Sequence, residues 1–208
     1  MTAALVSTAI VIANVLGASM ALPQTLRLVR TRDTHGVSSA WAGVSISMNG
    51  WWLAYGLTND LWGLVPVSAV AAALYAIIAV VLVRVGGRTA LRSLSAGAVG
   101  IGVVPAAFLA VGGWSVAGVA IGVCYGLQLA PAVVATCRTA DLGGVAPATW
   151  VLAWAESVIW LAYGVFVVDA ALVVGGVSGA LMATVILVRL AVTGHRPLEL
   201  CRPSPRHV

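Results

Sequence analysis

The sequence predicts an all-α polytopic membrane protein: seven transmembrane helices, arranged as two parallel three-helix bundles joined by a linker helix. Three observations predict it. The 208 residues are 61% hydrophobic and 8% charged, against about 25% charged in soluble domains, and mean hydropathy is +1.05. So few polar side chains cannot cover a water-facing surface. All 11 basic residues are Arg, and they lie between apolar runs. The chain also repeats itself, with Trp52 recurring at Trp160, 108 positions on.

Apolar runs occupy about 5–26, 39–58, 61–83, 95–112, 114–137, 148–167 and 170–190, each close to the roughly 20 residues that cross a bilayer. The first resembles a signal peptide in length, but Met1-Thr2-Ala3-Ala4 has no basic residue to form the charged start of one. It is read as a retained helix. Arg27, Arg30 and Arg32 follow the first run, and Arg84, Arg88 and Arg92 the third. Arg138 follows the fifth, and Arg189, Arg196, Arg202 and Arg206 the seventh. The other connections carry no Arg, and two of them carry Asp60 and Asp169. Basic residues stay on the cytoplasmic side, so the N-terminus is expected outside and the C-terminus in the cytoplasm. Little chain remains for an extramembrane catalytic domain. The polar, Pro-containing end beyond Gly194 is read as a cytoplasmic tail.

The repeat pairs Pro23 with Pro131, Arg30-Thr31 with Arg138-Thr139, Asp33 with Asp141, and Gly36-Val37 with Gly144-Val145. Its strongest match is Trp52-Leu53-Ala54-Tyr55-Gly56 against Trp160-Leu161-Ala162-Tyr163-Gly164. Bias toward Ala, Gly and Val does not produce such a match. The expected organisation is a first three-helix repeat over 1–89, a linker helix over 90–112, a second repeat over 113–190 and a tail over 191–208. A three-helix unit reverses direction, so the unpaired fourth helix restores parity and leaves the repeats parallel. Such repeats can enclose a midplane site and rock about it.

Glu156 is the one charge that the topology does not explain. It lies near the middle of the sixth run, and its repeat counterpart is Met48. Ionisable groups within a membrane span are costly and face a cavity or a partner. Glu156 is a candidate to bind a hydroxyl, carry a proton or select a cation, with a structural hydrogen bond as the alternative. Asn49 precedes Trp52 by three residues and Ser157 precedes Trp160 by three, which places each pair roughly on one helical face. Amide and hydroxyl groups both donate and accept, and indole rings stack on the apolar face of a sugar. Helix packing is the competing role. Tyr55 and Tyr163 fall near the outer ends of their helices as anchors or gates. Pro23 and Pro131 each remove a backbone hydrogen bond and permit a bend. Asp33 and Asp141 lie near Arg30 and Arg138, as inner-gate ion pairs or helix caps.

Pro23-Gln24, the basic stretch to Arg32, Asp33, Gly36-Val37-Ser38 and the paired Trp-x-x-Tyr-Gly segments resemble the PQ-loop superfamily, and the 3+1+3 layout resembles its SWEET sugar-transporter branch. The resemblance spans about 5–190. It implies facilitated, bidirectional movement of mono- or disaccharides, a substrate site between the two bundles, and hinges at Pro23 and Pro131. The second repeat has Ala130-Pro131-Ala132, so Gln24 has no direct counterpart; Gln128 lies about one turn away. The positions where the family usually carries paired Asn ligands fall on Ser68 and Gly176. Other branches of the superfamily carry amino acids with a proton, and some act as receptors. Both stay open as alternatives.

No paired carboxylates, nucleophile elbow or phosphate loop points to an enzyme. The three His and three Cys are dispersed without ligand spacing, so neither cofactor nor metal is expected. The expected partners are a small polar solute and the lipid bilayer, with a second copy of the chain left open and no nucleic acid. Abundant Ala, Gly, Val and Arg without Lys suggests a GC-rich prokaryotic genome and hence the plasma membrane.

Overall fold

A computed structural model describes residues 3–138, 142, 145 and 147–193. These form five helices: α1 (Ala3–Thr31), α2 (Ser39–Thr58), α3 (Val65–Arg138), α4 (Pro147–Val167) and α5 (Ala170–Val192). Four of them, all but α2, are long and apolar enough to cross a membrane. The protein is therefore a multi-pass, all-α membrane protein, but the expected seven separate helices in two three-helix bundles are not what forms.

Two physical reasons account for the difference. First, the three runs expected between residues 61 and 137 belong to one element. A straight helix of 74 residues would extend about 111 Å at 1.5 Å per residue, far beyond a bilayer core of about 30 Å. α3 avoids this at Gly87 (φ 58°, ψ −141°) and Gly113 (φ 67°, ψ −165°), a backbone region essentially confined to glycine. One such residue redirects the chain without a loop, so the expected linker helix lies within α3. Second, α2 carries Ser45, Ser47, Asn49, Trp51 and Trp52, which lower its hydropathy. It depends on packing against α3 rather than on its own apolarity.

Glycine sets how close the helices come. A Cβ on Gly43 would collide with the Leu94 carbonyl oxygen, and one on Gly97 with that of Ala40, which fits α2 tightly against the middle of α3. Gly118, Gly122 and Gly126 form a stripe at four-residue spacing. Their nearest neighbours include Ala171, Gly175 and Ser178 of α5. Gly176 abuts the Leu161 backbone and so draws α5 against α4. Small residues let membrane helices approach until backbones touch. Outside these seams Val11, Val15, Val99, Leu127, Val165 and Val188 are exposed, as a lipid-facing surface requires.

The repeat is visible in local backbone geometry. Both Trp-x-x-Tyr-Gly segments end in the same turn: Leu61 N donates to Gly56 O (2.9 Å) and Asp169 N to Gly164 O (2.8 Å), across Asp60 (φ 56°) and Val168 (φ 59°). This is the six-residue closure that satisfies the last carbonyls of a helix. A second turn also recurs, with Val37 N donating to Thr34 O (3.1 Å) and Val145 N to Leu142 O (2.9 Å).

The ends of the molecule differ in charge. Asp60 and Asp169 lie where α2 and α4 stop. The helices that leave this end carry Arg138 and Arg189 at their far ends. Arg32 and Arg84 line one groove with Val29 and Val81. The sequence expectations for Asp141, for Arg196, Arg202 and Arg206, and for the tail beyond Thr193 lie outside the described residues.

Gly122→Leu should cost about 1–3 kcal/mol by overpacking, since a Cβ there would lie 2.8 Å from Ala171 O. Gly50 has nothing within 4 Å, so Gly50→Ala should be neutral or stabilise by up to about 1 kcal/mol through helix propensity. Thermal unfolding in detergent checks both; equal midpoints would contradict the packing argument.

Candidate functional site

A cavity of about 90 Å³ lies in the middle of the bundle. Asn49 and Trp52 reach it from α2, Ser68 from α3, Glu156, Ser157 and Trp160 from α4, and Gly176 from α5. These are the seven substrate-binding candidates of the sequence, and the fold brings all of them to one place. Leu64, Val67, Tyr125, Leu172 and Gly175 complete the lining.

Glu156 sits near the centre of α4, eleven residues before its end at Val167, and is 8% exposed. The Trp160 indole Nε1 donates to its Oε1 at 3.2 Å, a contact that follows from their spacing of one helical turn. Across from it, α1 presents Gly17. A Cβ there would lie 2.5 Å from Glu156 Oε1 and 2.6 Å from Val67 Cγ2. Gly17 belongs to a small-residue stripe with the buried Ala13 and Ala21. The lack of a side chain at 17 is thus what makes room for the carboxyl group. Among the described residues the sole ion pair joins Arg27 to Asp33 at 3.7 Å, so no Arg neutralises Glu156.

Hydrogen bonds draw helices together on either side of the cavity. Toward the acidic end, Tyr55 Oη donates to Asp169 Oδ2 at 2.7 Å, while Asp169 Oδ1 caps α5 by accepting from Leu172 N at 2.8 Å. The Tyr55 ring packs against Trp52 and Trp114, each with centroids 6.2 Å away. Toward the Arg-bearing end, Gln128 Nε2 donates to Ser45 Oγ at 3.4 Å. Both residues are buried, and Gln128 Oε1 has no partner. The Tyr55–Asp169 contact is shorter and has an ionisable acceptor, and bonds of that kind are the stronger ones.

The hinge and gate candidates separate. Pro23 lies inside α1 and Pro131 inside α3. Pro23, Gln24 and Pro131 are exposed and do not line the cavity. Asp33 stays within its own loop, paired with Arg27 and accepting from His35 N at 3.0 Å; Ser38, not Asp33, caps α2. Tyr55 joins the clasp, whereas Tyr163 packs on Trp160 at 6.1 Å. The repeat shows the difference: the position matching Asp169 is Leu61, so no carboxylate stands at the equivalent place for the second tyrosine, Asp60 being one residue earlier in the turn. Trp51 is a packing residue, donating from Nε1 to Gly102 O at 3.0 Å.

Three contributors were missed in the sequence: Tyr125, Gly17 and the role of Asp169. The repeat held the signal for all three. Tyr125 aligns with Gly17 and Glu156 with Met48, so the asymmetries occur as a pair, and Asp169 differs from its counterpart Leu61.

No protein-family model matches the chain, and no curated protein sequence matches it. With five helices and four candidate spans, the structure does not have the seven-helix 3+1+3 architecture of the PQ-loop and SWEET proteins, and that resemblance is not upheld. The described residues contain no group of three or more His, Cys, Asp or Glu placed to hold a metal ion.

Gly17→Leu should push α1 away from α4, lower the unfolding midpoint by several degrees and close the space beside Glu156. Gly17→Leu combined with Glu156→Ala should recover part of that loss, because the carboxyl that collides is gone. Strictly additive effects in the double variant would contradict the Gly17–Glu156 contact.

Proposed function

We propose that this chain is a carrier, not an enzyme, and that it moves a small polyhydroxylated solute of monosaccharide size by alternating access through the Glu156 cavity. The observation that carries the reading is the convergence of two indoles and the hydrogen-bonding side chains Asn49, Ser68, Ser157 and Glu156, from three helices, on one cavity within a membrane bundle. Indole faces offer rigid apolar area, and Asn49, Ser68, Ser157 and Glu156 offer the donors and acceptors that orient hydroxyl groups.

The cavity volume of about 90 Å³ is well below the roughly 300 Å³ at which ordinary small-molecule sites begin. In this reading the structure is a contracted conformation that must widen to load. The Tyr55–Asp169 and Gln128–Ser45 contacts are the closures on its two sides, and breaking one while keeping the other admits solute from one face only. The rule that basic residues stay inside puts the Arg-bearing end in the cytoplasm and the Asp169 end outside, in the plasma membrane of a prokaryote.

Purified protein in liposomes should equilibrate at least one of radiolabelled D-glucose, D-xylose and D-ribose. Trp52→Ala and Trp160→Ala should each reduce the rate by about tenfold or more, which corresponds to about 1.4 kcal/mol. Tyr55→Phe should alter the rate while leaving the unfolding midpoint within a few degrees. Binding of these sugars without flux would instead favour a receptor, and neither binding nor flux would refute the reading.

A further inference from the structure

The Glu156 carboxyl group presents a charge problem to any carrier built around it. It is 8% exposed and accepts a single hydrogen bond among those of the described residues, from Trp160 Nε1. The elements around it offer no cation. α1 presents Gly17, with Ala13 and Ala21 on the same stripe. α3 presents the phenol Tyr125 in the shared cavity lining, and its other tyrosine is Tyr75. α5 presents Gly175 and Gly176, with its own acid, Asp169, held in the Tyr55 clasp at the outer end. On α4 itself, Tyr163 packs against Trp160. Every titratable neighbour is therefore an acid, and none can supply positive charge.

An unpaired buried charge costs several kcal/mol, and a carrier must pass through a state in which its site is sealed from water on both sides. A sealed Glu156 carboxylate would meet that cost at every turnover unless something positive travelled with it. A metal cation fits badly, since hard cations take about six to eight oxygen ligands, and no cluster of ligating side chains accompanies Glu156 among the described residues. A proton needs no further ligand. It also turns Glu156 into a hydrogen-bond donor for a solute hydroxyl, complementing Asn49 and Ser157.

We infer that Glu156 binds a proton that crosses the membrane with the solute, so that the protein is a proton symporter rather than a uniporter. The inference rests on the carrier reading above. Its balance is simple: one proton joins the carboxylate oxygen from the outer solution, crosses with the solute, and leaves to the inner solution as the carboxylate forms again. No bond in the solute changes.

The test uses full-length protein in liposomes that contain a trapped pH-sensitive dye, with whichever of D-glucose, D-xylose and D-ribose it transports. With the outside about one pH unit more acidic and membrane voltage clamped to zero, one proton per solute supports accumulation of up to about tenfold, since each pH unit and each tenfold gradient are worth the same 1.4 kcal/mol. Wild-type protein should accumulate the sugar, acidify the interior when sugar is added without a gradient, and lose accumulation with a protonophore. Glu156→Gln keeps the size but alters the binding site itself, so the rate of sugar entry should fall; the flux that remains should neither respond to the pH gradient nor move protons. Equilibration by wild type without accumulation or acidification overturns the coupling and leaves the carrier reading intact. Accumulation by Glu156→Gln, or alkalinisation on sugar entry, also overturns it. Absence of flux of all three sugars removes the carrier reading, and the coupling falls with it. The wild-type acidification and protonophore arms decide the matter even if the variant fails to fold.

Discussion

A carboxyl group on α4 faces the bare backbone of Gly17 on α1, with one indole N–H to answer it. Much else in the structure follows from that placement. Gly17 must lack a side chain, so α1 carries a small-residue stripe and packs close to α4. Trp160 must sit one turn beyond Glu156 to donate, which turns its ring toward the same cavity. The interior of α4 is thereby committed to a polar site, and a helix with mid-span charge needs neighbours on every side. α1 and α5 provide them: α1 through the small-residue stripe at Gly17, α5 through Gly176 against the Leu161 backbone, while the Gly118–Gly122–Gly126 stripe holds α5 in turn to α3.

The two repeats share a scaffold but not a chemistry. Their Trp-x-x-Tyr-Gly segments end in the same turn, with the same backbone bond. Among the paired positions that differ are Gly17 against Tyr125, Met48 against Glu156, and Leu61 against Asp169. Each of these differences adds a polar or ionisable group to the second half. Met48 is 1% exposed within an apolar cluster with Cys124 and Leu172, whereas Glu156 lines the cavity. Both halves bring a polar side chain and an indole to the cavity, Asn49 and Trp52 from the first and Ser157 and Trp160 from the second; the ionisable group, Glu156, comes from the second alone.

The residues that line the cavity were more legible in the sequence than the helix count. Trp52, Trp160, Asn49, Ser157 and Glu156 stood out because polar and aromatic residues are conspicuous in an apolar chain, whereas Ser68 and Gly176 were reached only through the family resemblance. Helix count was harder, because hydropathy records where charges and small residues interrupt an apolar run but not whether the break is a loop or a single turning residue. At Gly87 and Gly113 the chain turns through one positive-φ residue, and what reads as three runs is one interrupted helix. The run at 39–58, read as a span, forms α2 at those residues, but its Trp and Ser side chains lower hydropathy below that of the four candidate spans. Partners such as Asp169 for Tyr55, 114 residues away, leave no local pattern at all.

The central claim is that the Glu156 cavity opens to one face of the membrane and then to the other. Its most direct test is thiol labelling of Ser157→Cys in a variant whose native Cys124, Cys137 and Cys201 are replaced. Ser157 is 3% exposed and lines the cavity, so a reagent reaches it only when a closure opens. The account predicts that a membrane-impermeant thiol reagent modifies Cys at 157 from either side of the bilayer, and that a transported sugar slows the reaction from both. Labelling from one side only, or at a rate indifferent to sugar, would contradict it.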